Sequence, residues 1–119
     1  MAGAAPLGKA RAGRFDHLAP EVVGRARIRT ARHLPRQADA MTIGRTIYVR
    51  PGHEASDALL AHELVHVRQW QQYGPIGFLR RYLSDYLRFR VRGLPHWAAY
   101  RRIGFECEAE WEARSAGPR

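Results

Sequence analysis

His62 and His66 stand four residues apart, with Glu63 beside the first, in the run His62-Glu63-Leu64-Val65-His66. Residues four apart on an α-helix lie one above the other on the same face. Two imidazoles about 6 Å apart along the axis can therefore close on one small cation. Glu63 sits about 100° further round, within reach of a water on that cation. This HExxH pattern is the helix signature of zinc-dependent hydrolysis: the metal lowers the pKa of its water toward about 7. A carboxylate then takes the proton, which makes Glu63 the expected general base, and passes it on to the leaving amine.

A catalytic zinc uses three protein ligands and keeps one position open. The third is expected in Glu106-Cys107-Glu108-Ala109-Glu110, whose first residue lies 40 positions after His66. Glu106 can ligate a single Zn2+ from one face of a helix. Glu110 lies one turn on and shares that face, where it can accept a hydrogen bond from the free ring nitrogen of a zinc-bound histidine and fix its tautomer. Glu108 points roughly 160° away from Glu110 and is expected in solvent. The oxyanion formed in peptide hydrolysis needs a donor besides the metal. Tyr100, His96 and Tyr86 are the candidates, and nothing in their spacing chooses among them. His17, His33 and His53 read as loop or surface histidines, and Cys107 as a packing residue.

Elements must exist to hold these groups. Arg25 to Thr30 alternates as a strand with one charged face. Residues 40–43 and 46–49 flank Gly44-Arg45 as a short hairpin, which Pro51-Gly52 ends. Ser56 is the expected N-cap of the HExxH helix, with Asp57 suiting the positive end of its dipole. That helix should run to about Gln72, where Tyr73-Gly74-Pro75 stops it. A second helix over 77–92 should turn Leu79, Leu83, Tyr86 and Leu87 inward and Arg80, Arg81, Arg88 and Arg92 outward. After Gly93-Leu94-Pro95, a third helix should begin between Trp97 and Phe105 and reach about Arg114. Trp70 and Trp111 are expected to join the two metal-bearing helices.

The 119 residues suffice for one domain. Residues 1–14, rich in Ala, Gly and basic groups, read as a flexible tail, and 15–119 as the domain. Net charge is +9, from 19 arginines and the single lysine Lys9. That balance favours acidic partners, nucleic acid or an anionic membrane surface, and the arginines of 80–92 are the natural contact. One cysteine gives no intrachain disulfide framework and leans toward a reducing compartment. The N-terminus lacks the apolar core of a signal peptide, which points to the cytoplasm while leaving non-classical export open. The longest uncharged run, Gln69 to Leu79, is 11 residues, well short of the roughly 20 apolar residues that span a bilayer.

The stretch Ala38-Asp39-Ala40-Met41-Thr42-Ile43-Gly44-Arg45-Thr46-Ile47-Tyr48-Val49, then Pro51-Gly52, then Leu59-Leu60-Ala61-His62-Glu63-Leu64-Val65-His66-Val67-Arg68-Gln69, resembles the DUF4157 family. The resemblance covers about residues 20–72. These are bacterial domains assigned as zinc metallopeptidases, some encoded beside extracellular contractile injection systems. The C-terminal part resembles the wider glutamate-type zincins, whose second motif reads E-x-x-A-D. By that match Glu106 is the zinc ligand and Glu110 stands where the aspartate would be.

The expected architecture is α+β: a minimal zincin-like domain, with a short antiparallel β element followed by a mostly helical half that carries the HExxH helix. The expected function is a zinc-dependent metallopeptidase acting on a peptide or protein, with substrate along the edge strand near Tyr48. The rival expectation is a zinc-stabilised, non-catalytic binding or accessory module that engages an acidic partner through its arginine surface.

Overall fold

The computed structural model describes residues 3–36 and 38–116. Their order is α1 (Lys9–Ala12), a 3-10 turn (Gly13–Phe15), α2 (Pro20–Arg25), β1 (Arg27–Thr30), β2 (Ala40–Ile43), β3 (Thr46–Val49), α3 (Asp57–Val91), α4 (His96–Arg102) and α5 (Gly104–Ala116). The fold is α+β, as expected: a small sheet comes first and a mostly helical half follows.

The hairpin forms where Gly44 permits it. Gly44 has φ 66, a left-handed conformation open to glycine without a Cβ clash, and β2 and β3 pair antiparallel from Ala40–Val49 to Ile43–Thr46. β1 joins the other side of β3 in parallel, so the strand order is β1-β3-β2. Tyr48 therefore lies on the central strand. This corrects the expectation of a substrate edge near Tyr48: the second strand of the hairpin already has a neighbour on each side. Beyond β1, Ala5 bridges Ile28, and β2 is the edge nearer the HExxH helix. Residues 3–14, expected as a tail, carry α1 and send Arg11 and Arg14 to Asp57, at 3.2 and 2.9 Å.

Ser56 caps α3 as expected, its hydroxyl accepting from the Leu59 N–H. The first arm of α3, 57–73, is buried along Leu60, Ala61, Leu64, Val65 and Val67, against Val22, Val23, Ile47 and Val49. At Gly74 the backbone turns to φ 72, ψ 168, and Pro75 starts a second arm. This is where the sequence breaks the helix, because Pro75 has no N–H to donate and Gly74 alone tolerates that backbone. Gly74→Ala should cost about 1–3 kcal/mol, measurable as a lowered urea midpoint with unchanged slope.

The second arm packs differently from expectation. Its aromatic side turns inward: Phe78 is buried and stacks on Trp70 and Phe105, with Tyr82 and Tyr86 beside Ile103. Leu79, Leu83 and Leu87, expected inward, are about half exposed. Large flat rings fill the space between the arms and α5 better than the leucines, so they take the protein side. The third expected helix is two, α4 and α5, divided at Ile103, whose ψ of 129 leaves the helical region. Trp111 is exposed rather than joining α3 to α5. Trp70 instead stacks on Phe78, within α3, while its indole N–H donates to Thr42 O of β2 at 3.2 Å. α3 and α5 are tied instead by Arg68, which donates to Glu108 and Glu112, and by Gln69.

Candidate metal centre

His62 and His66 project from one face of the first arm of α3, their ring centroids 5.0 Å apart. Their Nε2 atoms converge on one point. Glu106 Oε1, delivered by the first turn of α5, stands 3.1 Å from each. Donors about 2.0–2.1 Å from a tetrahedral zinc lie about 3.3 Å from one another. Two Nε2 atoms and one carboxylate oxygen at 3.1 Å therefore fit the edges of such a site.

The other ring nitrogens show which lone pairs face inward. Gln69, fully buried, donates through Nε2 to Phe105 O at 3.1 Å and Glu108 Oε1 at 2.7 Å. Both partners only accept, so Gln69 Oε1 must face His66 Nδ1, 2.7 Å away, and accept its proton. His62 Nδ1 lies 3.2 Å from Glu110 Oε2 in the same sense. Each histidine thus keeps its Nδ1 proton and turns Nε2 toward Glu106. Two imidazole lone pairs and a carboxylate oxygen facing one another need a positive charge among them, and a metal ion or a proton can supply it.

Glu63 also reaches this region. His62, Glu63 and His66 each place a donor atom within 4.8 Å of the others, a group that could hold a metal ion. Two carboxylates therefore compete for the third position. Glu63 Oε2 stands 4.0 Å from His62 Nε2, and its Oε1 accepts a 2.9 Å hydrogen bond from Thr42. Glu106 Oε1 is closer, and shared equally between the rings. Glu106 is thus the better placed of the two for a third donor, with Glu63 beside the convergence point.

Burial sets the proton affinities. Burial pushes the Glu63 carboxyl above its usual range, with His66, His62 and Thr42 only partly opposing it. Burial would also raise Glu106, but hydrogen bonds from His62, His66 and Tyr82 outweigh it and hold this carboxyl well below the usual range. Burial would depress His66, yet the adjoining Glu106 carboxylate overcomes that and raises it to about 9. Below pH 9 the metal-free His66 therefore carries a proton that an entering ion must displace. Metal affinity should fall by up to about tenfold per pH unit on going down from pH 9, until the other ligands also protonate. Titration calorimetry in two buffers of different ionisation enthalpy should show proton release at pH 7.

Two tyrosines close the far side. Tyr82 donates to Glu106 Oε2 at 2.7 Å, with Tyr100 beside it. Burial and the nearby Glu106 charge push both hydroxyls well up, so they remain protonated donors. Tyr100 lines a cavity of about 1190 Å³ together with His62, Glu63, Ala38, Ala40, Asp39 and Glu110. Among the described residues His96 does not line it; it is exposed and pairs with Tyr86 at 2.8 Å. The structure thus brings His62, Glu63, His66, Glu106, Glu110 and Tyr100 together and leaves His96 outside. His53 lies 3.7 Å from Asp39, away from the convergence point.

Gln69, Thr42, Tyr82 and Glu108 were not anticipated. Gln69 had a signal, because it follows His66 by three and so shares its helix face. Thr42 had none: its approach to Glu63 depends on how the hairpin packs on α3. Glu108 is exposed, as expected, and also accepts from Gln69 and Arg68, since Gln69 lies on the side of α3 that meets α5.

Residues 16–74 match the family model of the eCIS core domain, the DUF4157 family. The match takes in the hairpin, His62, Glu63 and His66, and ends before Tyr82, Tyr100, Glu106 and Glu110. No curated protein and no solved structure matches the chain.

Proposed function

We propose that this chain, an eCIS core domain over residues 16–74, is a zinc-dependent peptidase that binds one Zn2+ through His62, His66 and Glu106. The observation that supports it most is the convergence of both Nε2 atoms on Glu106 Oε1 at 3.1 Å, beside a buried Glu63 that opens onto a cavity. A bound zinc supplies a Lewis-acidic centre that acidifies water and polarises a carbonyl. The remaining work belongs to side chains. Glu63, fixed by Thr42 and poised by burial to hold a proton, takes it from the attacking water and delivers it to the leaving nitrogen. Tyr100, protonated and on the cavity wall, donates to the developing oxyanion. A peptide lies along β2, the sheet edge whose Thr42 already touches Glu63, so that an added strand brings its carbonyl to the site.

A purely structural zinc would be closed off by its ligands. Here His62 and Glu63 line an open cavity, which favours the catalytic reading over a zinc-stabilised accessory module. The test is metal content of the purified, dialysed protein beside cleavage of a peptide library with and without a chelator. The expected result is one zinc per chain and chelator-sensitive cleavage. A chain that binds no zinc when offered it would overturn the proposal.

A further inference from the structure

The second arm of α3 carries an apolar ridge that nothing covers among the described residues. Ile76, Leu79, Leu83, Leu87 and Val91 follow one another at intervals of three or four, so they form one stripe along the helix. They are 83, 47, 53, 57 and 86% exposed. The opposite side is already occupied: Phe78 is buried, and Tyr82 and Tyr86 pack against Ile103 and Phe105. The ridge is therefore a second apolar face on a helix whose protein contacts are made elsewhere, and aligned exposed aliphatic side chains mark an interaction surface.

Charge selects the occupant. Arg80 and Arg90 interleave with the ridge, and Arg81, Arg88 and Arg92 follow on the adjoining face, all five exposed. The only acid over 75–92 is Asp85, which accepts from the Gly104 N–H and pairs with Arg88 at 3.5 Å. A second copy would set arginine against arginine along the whole ridge. A protein partner is disfavoured by composition, because interface anchors are mainly Trp, Tyr and Arg set in pockets, with Leu and Val under-represented. This surface is a convex row of aliphatic side chains. Leucines and valines on a helix edged with arginine match the boundary of an anionic bilayer, where the aliphatic groups enter between headgroups and the guanidinium groups pair with phosphates.

We propose that the Ile76–Val91 ridge docks this domain on an anionic lipid surface, with the second arm of α3 lying in the plane of the headgroups. Such docking does not cross the bilayer, and no helix among the described residues is long and apolar enough to do so. It is independent of the zinc site, since none of the ridge residues lines the metal cavity.

The test is flotation of the full chain with vesicles of phosphatidylcholine alone or with about 30% phosphatidylserine, near 0.15 M salt. Binding should be at least about tenfold stronger with phosphatidylserine. Leu83→Asp/Leu87→Asp should weaken it at least about tenfold more, with an unchanged circular dichroism spectrum because both side chains are exposed. Arg80→Gln/Arg90→Gln should weaken binding and flatten its salt dependence. No binding to phosphatidylserine vesicles would overturn the proposal. So would equal binding by the leucine variant, which would leave charge alone as the cause. A wild-type dimer that Leu83→Asp/Leu87→Asp converts to monomer would assign the ridge to a second copy instead.

Discussion

Glu106→Ala should lose zinc by far more than any neighbouring substitution, with affinity down by more than about 100-fold. The comparison is with Glu110→Gln, for which about 10–100-fold is expected, the range typical of residues that only orient a ligand. The reason lies in the two contacts. Glu106 Oε1 faces both Nε2 atoms at 3.1 Å, so its removal takes away one donor and the charge that neutralises the cation. Glu110 reaches just one of the two rings, at His62 Nδ1, is half exposed and is shared with Arg114. Competition with a chromogenic chelator reads both variants on one scale. Equal affinity of Glu106→Ala and wild type would move the third position to Glu63, the other carboxylate within reach. The variant's fold needs checking, because Glu106 also accepts from Tyr82 and removal leaves that part-buried hydroxyl without its acceptor. Glu106→Gln keeps the shape and loses the charge, and should also bind zinc weakly.

Glu63→Gln should leave zinc content unchanged and lower the cleavage rate by about 10²–10⁴-fold, the usual worth of a positioned acid–base group. The amide keeps the volume of the carboxylate and its oxygen can still accept from Thr42, so the local packing survives. It cannot take a proton from water. Glu63 is 5% exposed, and burial raises its proton affinity above that of an ordinary glutamate. A carboxylate with raised proton affinity takes a proton from water more readily than an ordinary glutamate does, which suits a general base. If Glu63→Gln cleaves peptides at the wild-type rate, Glu63 is not the base. If neither protein cleaves while both hold zinc, the accessory-module reading takes its place. Stoichiometry by elemental analysis and rates with a quenched peptide separate these outcomes.

Local chemistry was legible in the residues. Ser56, the His62–His66 spacing, Gly44 and the Gly74-Pro75 break each act through neighbours within a few positions, where backbone geometry is fixed by type. Glu106 and Glu110 were legible too, as a pair one turn apart on a helix. Which face of the second arm turns inward was not. Leu79, Leu83 and Leu87 form a good apolar stripe, and so do Phe78, Tyr82 and Tyr86, on the other side of the same helix. Periodicity admits both, and only the shape of the space beside Ile103 and Phe105 chooses the rings.

The sequence by itself determined that two imidazoles and a carboxylate share a helix, that a hairpin precedes them, and that an acidic helix follows. Each of these depends on contacts between residues close along the chain. Tertiary structure alone decided that Glu106 crosses to His62 and His66 after 40 residues, that Thr42 fixes Glu63, and that Gln69 and Glu110 set the tautomers of the two rings. It also placed Tyr48 inside the sheet and left the leucine ridge facing outward. Those outcomes rest on how whole elements pack, where the filling of volume and the pairing of buried polar atoms select among faces that the pattern of residues leaves equivalent.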